Sequence, residues 1–582
     1  MQRYICAHCD DLECESSVCP ICGERTYLAE SKVYWCDTCN TPTYNETCDC
    51  CGGSCRYIAS DIRPVFPQER LLIEILIGEP MKFCNSSVFS SGGGSYFIDG
   101  KKIILPLTEL IKTPAEKVIS LLEQYREQNQ KCEESFYEMP WIKNFIECNK
   151  LHMQLMETEA FDFIRKEANG ISEDAMFVSF SGGKDSSVVS NLVMEALGTD
   201  SIIHIYGNTT LEYPESTEYL KAFKKEHPRT PVLEARNRDQ NFYDLCNHMG
   251  PPSRIMRWCC TVFKTGAISK VIDALFANKK KIIAFHGIRR DESSSRGKYE
   301  RVSDGVKIAK QKVLQPILDW KNFDVWLYIL SKHLLFNNAY QQGFSRVGCW
   351  CCPNNSDWSE YLSSIYMNRQ YNDFHNQLYD FAKSIGKEDW KEYIDTGKWK
   401  ARQGGNGLES SKDAILSYTP CVREDNAYNF VLTRPLSDAF YVLFKPFGRI
   451  DKTLGNQRLG EVFVLDKKSG NPILKISGKL GQEKIKITVV NSIGAFANTQ
   501  KAFAMIKAQV TKYQTCIGCS ACSSICKHGA IRIENTQVGD VRHDSIVYSI
   551  DEFKCVGCLE CILHFDSGCY IKKVLRKRLD NE

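Results

Sequence analysis

The sequence predicts an α/β protein whose core is a doubly wound, mainly parallel sheet, with a nucleotide at the carboxyl ends of its strands. Three observations carry this. Residues 175–180 (AMFVSF) form an apolar, β-tolerant run that stops at a Ser-Gly-Gly turn. Residues 184–197 (KDSSVVSNLVMEAL) follow at once with the spacing of an amphipathic helix. A strand, a glycine turn and a helix N-terminus make an anion site, because backbone N–H groups and the helix dipole face one point. Finally, the chain has 582 residues, 43% of them hydrophobic, which allows three to five domains with ample core.

The net charge of +3 neither requires nor excludes a nucleic-acid partner. Two basic stretches, Lys221–Arg238 and Lys572–Arg578, read first as solvated helix faces. The N-terminal MQRYICAHCD lacks the basic flank and apolar centre of a secretory signal. The longest apolar run, LLIEILI, is too short to span a membrane. A cytoplasmic protein without membrane association is therefore expected. Disulfides are disfavoured there, so the 29 cysteines read as metal ligands.

Residues 1–58 predict zinc ribbons. Cys6 and Cys9 pair with Cys19 and Cys22, and Cys36 and Cys39 pair with Cys48 and Cys51, each pair of C-x-x-C knuckles closing a tetrahedral Zn²⁺ site. Cys14, Cys50 and Cys55 are spare, so the pairing stays open. So short a segment buries little apolar surface, and metal supplies most of its folding energy. Its role is either recognition of a nucleic acid or partner, or purely structural. Residues 59–135 predict a small α+β module: a helix (PQERLLIEILIG), a glycine turn (SSGGGS) and a strand (KKIILPL). Residues 410–507 predict a β-rich domain with strand-like runs FYVLFKPFGRI, GEVFVLD and IKITVV, closed by a helix (TQKAFAMIKAQVTKY). Before it, KARQGGNGLESSKD reads as a linker or mobile loop.

Residues 508–582 carry CIGCSACSSIC and CVGCLEC, with Cys569 beyond them. This resembles a bacterial two-cluster ferredoxin, in which the fourth cysteine of each run serves the other cluster. The resemblance implies one [4Fe–4S] cluster on Cys516, Cys519, Cys522 and Cys569, and a second on Cys555, Cys558, Cys561 and Cys526. Lys527 stands where that pattern has proline, and the gap before Cys569 exceeds the usual three residues.

The loop SGGKDS is not the G-x-x-x-x-G-K-[ST] loop of ordinary ATPases. It is similar to the pyrophosphate loop of the ATP-pyrophosphatase (PP-loop, adenine nucleotide alpha hydrolase-like) superfamily. That likeness implies an adenine nucleotide at Ser181, Gly182, Gly183, Lys184, Asp185 and Ser186. SIIHIYGNTTLEYPES, HGIRRDESSSR, QPILDWKNFDVWLYI and GFSRVGCWCCP follow in order over residues 136–400 and resemble the phosphoadenosine-phosphosulfate (PAPS) reductase family. The resemblance makes Arg289 and Arg296 partners for phosphate or sulfate. It also reads RWCC and GCWCC as the ligands of a third [4Fe–4S] cluster, Cys259, Cys260, Cys349 and Cys352, with Cys351 as a rival. The family's Glu-Cys-Gly-Leu-His segment, whose cysteine attacks sulfur, has no counterpart. Cys421 is the one cysteine between Pro353 and the ferredoxin-like run, and Asn208 stands where many relatives carry an acid.

These residues support three functions. The leading expectation is ATP-dependent adenylation and sulfur transfer to a nucleic-acid acceptor (DNA or tRNA) or a small one. Lys184 would offset phosphate charge from an exposed loop, Asp185 would help hold Mg²⁺, and a cysteine desulfurase or electron donor would be the partner. The alternative is a PAPS or adenylylsulfate reductase that uses its own ferredoxin domain as electron relay. The third is a non-enzymatic iron–sulfur redox sensor, against which the intact SGGKDS loop weighs.

Overall fold

The computed structural model describes residues 32–279, 281–293, 296–305, 311–492, 496–536, 545–565 and 568–576, residues 20–22, and the backbone of 4–6, 12–14 and 27–28. At its centre is a six-stranded sheet of β1 (Met176–Phe180), β2 (Ile203–Asn208), β3 (Val232–Arg236), β4 (Ile282–His286), β5 (Val302–Asp304) and β6 (Gln311–Leu314) in the order 3-2-1-4-6-5. All pairings are parallel except β5 with β6. Five helices of this domain matter below: α1 (Lys184–Leu197), α2 (Pro214–Glu226), α3 (Phe242–Met249), α4 (Gly266–Leu275) and α5 (Asn322–Ser331).

Alternation along β1 explains the layers. Met176 and Val178 pack with Val188, Val189 and Leu192 of α1. Phe180, on the same face, meets Tyr219 and Phe223 of α2. Phe177 points the other way, to Ile272 of α4 and to Phe276. A strand buried on both faces is what a parallel sheet requires, and the doubly wound expectation holds. Strand order reverses between β1 and β4, so the loop after β1 lies at the switch point.

The flanking modules lock onto this core by buried polar and aromatic joints. Val33–Cys36 is the middle strand of a three-stranded sheet, and its Trp35 is fully buried against Phe89, ring centroids 6.0 Å apart. Phe89 lies in a four-stranded sheet, Arg63–Pro64, Val88–Gly92, Ser95–Ile98 and Lys101–Ile104, beside the helix Pro67–Leu76. His152 hydrogen-bonds Asp324 of α5 at 2.7 Å while Tyr44 stacks on its ring at 3.7 Å. Asp61 caps α5 by accepting from the N–H groups of Asn322 and Phe323, both at 3.0 Å.

Toward the C-terminus a six-stranded antiparallel sheet runs in spatial order 417–420, 427–431, 484–489, 472–477, 461–465, 449–451. Helix α6 (Thr499–Thr515) packs on it and leads into the hairpin Ile531–Asn535/Ile546–Ile550. Two expectations change here. FYVLFKPFGRI is not one strand: Asp438–Val442 is helical and only Arg449–Asp451 is extended. Its aromatic residues are β-tolerant, but Phe440, Phe444 and Phe447 fall at helix-compatible spacing and are buried in one core, and Pro446 stops any ladder. KARQGGNGLESSKD is not a free linker. Lys400 and Arg402 are buried, and Gly405 packs so tightly that an added Cβ would lie 2.3 Å from the Leu575 carbonyl oxygen. Among the described residues no helix is long and apolar enough to cross a membrane.

The side chains of Cys6, Cys9 and Cys19 lie outside the described residues, whereas Cys36, Cys39, Cys48 and Cys51 converge with all sulfurs within 4.8 Å of one another. The Cys36–Cys51 and Cys39–Cys48 sulfurs are 3.5 and 3.7 Å apart. Bonds of about 2.3 Å to a tetrahedral ion set sulfurs about 3.8 Å apart, so this donor set fits Zn²⁺. Burial opposes ionisation of Cys48, but the N–H groups of Cys51 and Cys50 outweigh it and bring the thiol down to about 7. Cys39→Ser should release one zinc per chain and open residues 32–59 to protease, while nucleotide binding persists. Zinc analysis and limited proteolysis check this.

Candidate functional site

The loop between β1 and α1 is held by its own serines. Gly182 takes φ +71°, a left-handed backbone that favours glycine. Ser186 Oγ accepts from the Ser181 N–H (3.2 Å) and donates to the Gly183 carbonyl (2.8 Å). The Lys184 N–H donates to Tyr340 Oη at 3.1 Å, and Asn337 Nδ2 reaches the Gly182 carbonyl at 3.4 Å. Behind the loop, Gly287 after β4 has no room for a side chain: a Cβ would lie 2.7 Å from the Asp185 carbonyl carbon and oxygen. The turn is thus pinned from both sides with its curvature fixed.

The charged residues differ from the expected picture. Lys184 is not an exposed loop cation. It is buried, with Nζ 2.9 Å from Asp185 Oδ2. Arg289 is buried too and donates from Nε to Asp185 Oδ1 at 2.6 Å and from Nη2 to Asn322 Oδ1 at 3.1 Å. Both oxygens of Asp185 are therefore engaged by cations of the chain itself. Arg289 braces the loop from behind, and through Asn322 it joins Asp61. Burial alone would raise the Asp185 carboxyl, yet Lys184 and Arg289 hold it at about 2. Burial lowers Lys184, with Asp185 opposing. Arg296 is the most open of the four, paired with Glu292 and lowered by burial and by Arg346 nearby.

The strand β2 ends at Asn208, and the next residues connect the nucleotide loop side to the cysteines. Thr210 is held left-handed at φ +67°. Thr209 Oγ1 donates to Glu212 Oε1 at 2.6 Å and lies 3.4 Å from Cys349 Sγ. Cys259 precedes a π-helical turn, Cys260–Thr265, that runs into α4. Cys259 has Cys260, Cys349 and Cys352 as electrostatic neighbours. Contact with the Cys260 thiol, then burial, pushes its own thiol well above the ordinary range. Burial and the Glu212 carboxylate push Cys349 up to about 12. Cys260, Cys349 and Cys352, drawn from two distant segments, thus lie within electrostatic reach of Cys259. The rival Cys351 is buried in the apolar core with Cys246 among its neighbours.

The C-terminal cysteines sort into two sets. Cys516, Cys519, Cys522 and Cys569 line one small apolar cavity, and Cys526, Cys555, Cys558 and Cys561 line another. The two runs repeat one backbone: Gly518 and Gly557 take φ +70° and +72°, and Ser520 and Leu559 are left-handed at +58° and +64°. Tyr548 Oη donates to Cys522 Sγ at 3.3 Å, and Thr515 Oγ1 to Cys569 Sγ at 3.7 Å. The buried Lys512 ammonium lines the first cavity and donates to the Cys561 carbonyl at 2.9 Å, so one cation touches both sets. The first set also abuts the core cysteines. A Cβ on Gly266 of α4 would lie 2.8 Å from the Cys519 carbonyl oxygen, and Tyr570 has Thr261, Cys519, Cys259 and Cys260 as neighbours.

Residues 175–355 match the phosphoadenosine phosphosulfate reductase domain family. The chain carries a PAPS reductase domain. Residues 515–564 match the 4Fe-4S dicluster domain, so the reductase domain is fused to a two-cluster ferredoxin domain. Two uncharacterised proteins of Methanocaldococcus jannaschii are 32% identical over 197 residues and 29% identical over 263, which is 34% and 44% of this chain and 40% and 60% of theirs. The chain thus spans between two and three fifths of the length of these relatives. An adenosine 5'-phosphosulfate reductase of Shouchella clausii is 22% identical over 209 residues, 35% of this chain and 80% of that reductase.

Several residues of the reductase domain and its surroundings escaped the sequence reading. Asp61, Thr209 and Tyr340 act through partners remote in the chain and carry no local signal, and the close approach of Gly287 to Asp185 does not show in the HGIRRDESSSR run that contains it. Lys512 had one: it sits four residues before Cys516 on a helix that ends at that ligand. Asp185→Asn would leave Lys184 and Arg289 buried without an anion and should cost about 3–5 kcal/mol in denaturant unfolding. Because the Asp185 pKa is depressed, its stabilisation is complete above about pH 4 and is lost as pH falls toward 2. Lys512→Met should lower the reduction potentials of both C-terminal clusters, since net charge near the sulfurs sets them. EPR-monitored titration reads this, and unchanged potentials would show that the ammonium is electrostatically silent.

Proposed function

We propose that the protein is a sulfonucleotide reductase, acting on PAPS or adenylylsulfate, that draws electrons through its own dicluster domain. The observation that carries this is the contact at Gly266, Cys519 and Tyr570, which sets the first C-terminal cysteine set against Cys259 and Cys260. Three [4Fe–4S] clusters, on Cys516/Cys519/Cys522/Cys569, Cys526/Cys555/Cys558/Cys561 and Cys259/Cys260/Cys349/Cys352, would supply one-electron transfer. A relay ending beside a nucleotide loop suits a reduction.

The chain's own residues do the rest. The Ser181–Ser186 loop holds nucleotide phosphate with its backbone and the α1 N-terminus. Arg296 offsets its charge, and Asp185 with Lys184 and Arg289 fixes the loop's shape. Thr209 ties the end of β2 to Cys349, setting the distance between nucleotide and thiols. The reaction breaks the S–O bond of the phosphosulfate. Sulfur takes two electrons and leaves as sulfite, and the bridging oxygen stays on the nucleotide phosphate. Residues 136–400 perform this work and 508–582 feed it, with 1–58, 59–135 and 410–507 as zinc-bearing and β-rich scaffolds.

A second reading, ATP-dependent adenylation with sulfur transfer to DNA, tRNA or a small acceptor, is favoured by one feature, the missing Glu-Cys-Gly-Leu-His segment. Cys421 does not replace that segment readily: it is half-buried in the turn between strands 417–420 and 427–431, its N–H on the Ala427 carbonyl. Anaerobic assays of the dithionite-reduced protein separate the two. Sulfite from PAPS or adenylylsulfate, without pyrophosphate release from ATP, is expected. Pyrophosphate release that depends on an acceptor, with no sulfite from either sulfonucleotide, would overturn the reductase.

A further inference from the structure

Electrons must enter somewhere, and the second C-terminal cysteine set is placed for it. Among the described residues, the cavity of Cys526, Cys555, Cys558 and Cys561 is lined by Pro446 and residues between 526 and 561, none from the reductase domain. Cys558 is exposed. Beside Cys555, Phe553 is fully exposed (101%) and Val556 is 61% exposed. The Phe553 ring is not left out by disorder of its turn. The Asp551 carboxylate accepts from the N–H groups of Phe553 and Lys554 at 3.0 and 3.3 Å and fixes the turn that presents it. Phe553 and Val556, exposed together beside these cysteines, form an apolar spot that suits a contact surface.

Lysines outnumber acids around it, four to three: Lys445, Lys467, Lys527 and Lys554 against Asp551, Glu552 and Glu560. Lys467 reaches the Cys555 carbonyl with Nζ at 2.5 Å. Lys554 is exposed next to Cys555, and Lys527 is exposed next to Cys526, where the two-cluster pattern has proline. Of the nearby acids, Glu552 is paired with Lys445 at 2.8 Å, while Asp551 and Glu560 stand against Lys467, Lys527 and Lys554. An apolar centre over an exposed cysteine, with lysines in slight excess around it, suits a protein partner of opposite charge that stays briefly. Electron-transfer encounters bury little area and rely on charge for steering.

We infer that this face is the docking port for a small acidic one-electron carrier protein. The inference rests on the reductase reading only for the direction of flow. In each encounter the carrier loses one electron and the site on Cys526, Cys555, Cys558 and Cys561 gains it. No atom is transferred, and two encounters supply one reduction. Lys527 then has a function: it replaces a residue of the pattern with a cation at the port.

The test uses the cluster-loaded full chain and an acidic plant-type two-iron ferredoxin as probe, with basic cytochrome c as charge control. Calorimetry should show binding of the ferredoxin at low salt, weakened about tenfold or more at high salt. Lys527→Pro, Lys554→Glu and Phe553→Ser should each weaken it at unchanged iron content. Lys527→Pro restores the ordinary pattern, so the cluster is preserved. Affinity unmoved by all three variants, preference for cytochrome c, or self-association of the chain abolished by Phe553→Ser would each overturn the port. Dithionite bypasses the port. Sulfite formation with dithionite but no ferredoxin binding would therefore remove the port alone, and binding without sulfite would remove the reductase reading alone.

Discussion

Helix α4 meets the C-terminal domain where it has no side chain. A Cβ on Gly266 would lie 2.8 Å from the Cys519 carbonyl oxygen and 3.4 Å from Ser520, so only glycine lets the two backbones approach this closely. That contact decides the architecture. It places Tyr570 between cysteines of two domains and lets Ile517, Cys569, Ile571 and Val574 join the apolar cluster that also buries Trp258 and Phe263. The short link Gln240 Nε2 to the Ile517 carbonyl seals its edge. The two halves share a core rather than a linker, and the segment 400–405, which reads from sequence as a linker or mobile loop, is packed into the same joint.

On the nucleotide side the corresponding constraint is Asp185. One carboxylate stands between two buried cations, and a buried pair of this kind fixes shape more than it adds stability. Asp185 ties the loop to Arg289, Arg289 to Asn322, and Asn322 to Asp61 in the module before the sheet. The shape of the loop is therefore set by the whole domain and its N-terminal neighbour. From the same sheet edge, Thr209 reaches Cys349. Loop and thiols are thus positioned by one rigid layer.

Much of this was legible in the sequence where chemistry is local. Strand 176–180 and helix 184–197 follow from periodicity and a glycine turn, and the cysteine knuckles follow from spacing. The FYVLFKPFGRI run misled because aromatic residues fit either period, and burial rather than composition chose the helix. The charges of Lys184 and Arg289 were legible as residue types but not as partners, because Asp185 claims both only once β4 lies beside α1. Cys351 and Cys352 are adjacent, and only the packing of Trp350 and Cys351 inward tells them apart.

The central claim is that reducing equivalents cross from the C-terminal domain to the Cys259/Cys260/Cys349/Cys352 site at Gly266. Freeze-quench EPR of the pre-reduced protein, mixed with sulfonucleotide, tests it directly when wild type is compared with Gly266→Leu of equal iron content. Oxidation of the C-terminal clusters on mixing, slowed in Gly266→Leu, is the result expected. Equal rates in both proteins, or C-terminal clusters that stay reduced in wild type, would contradict it.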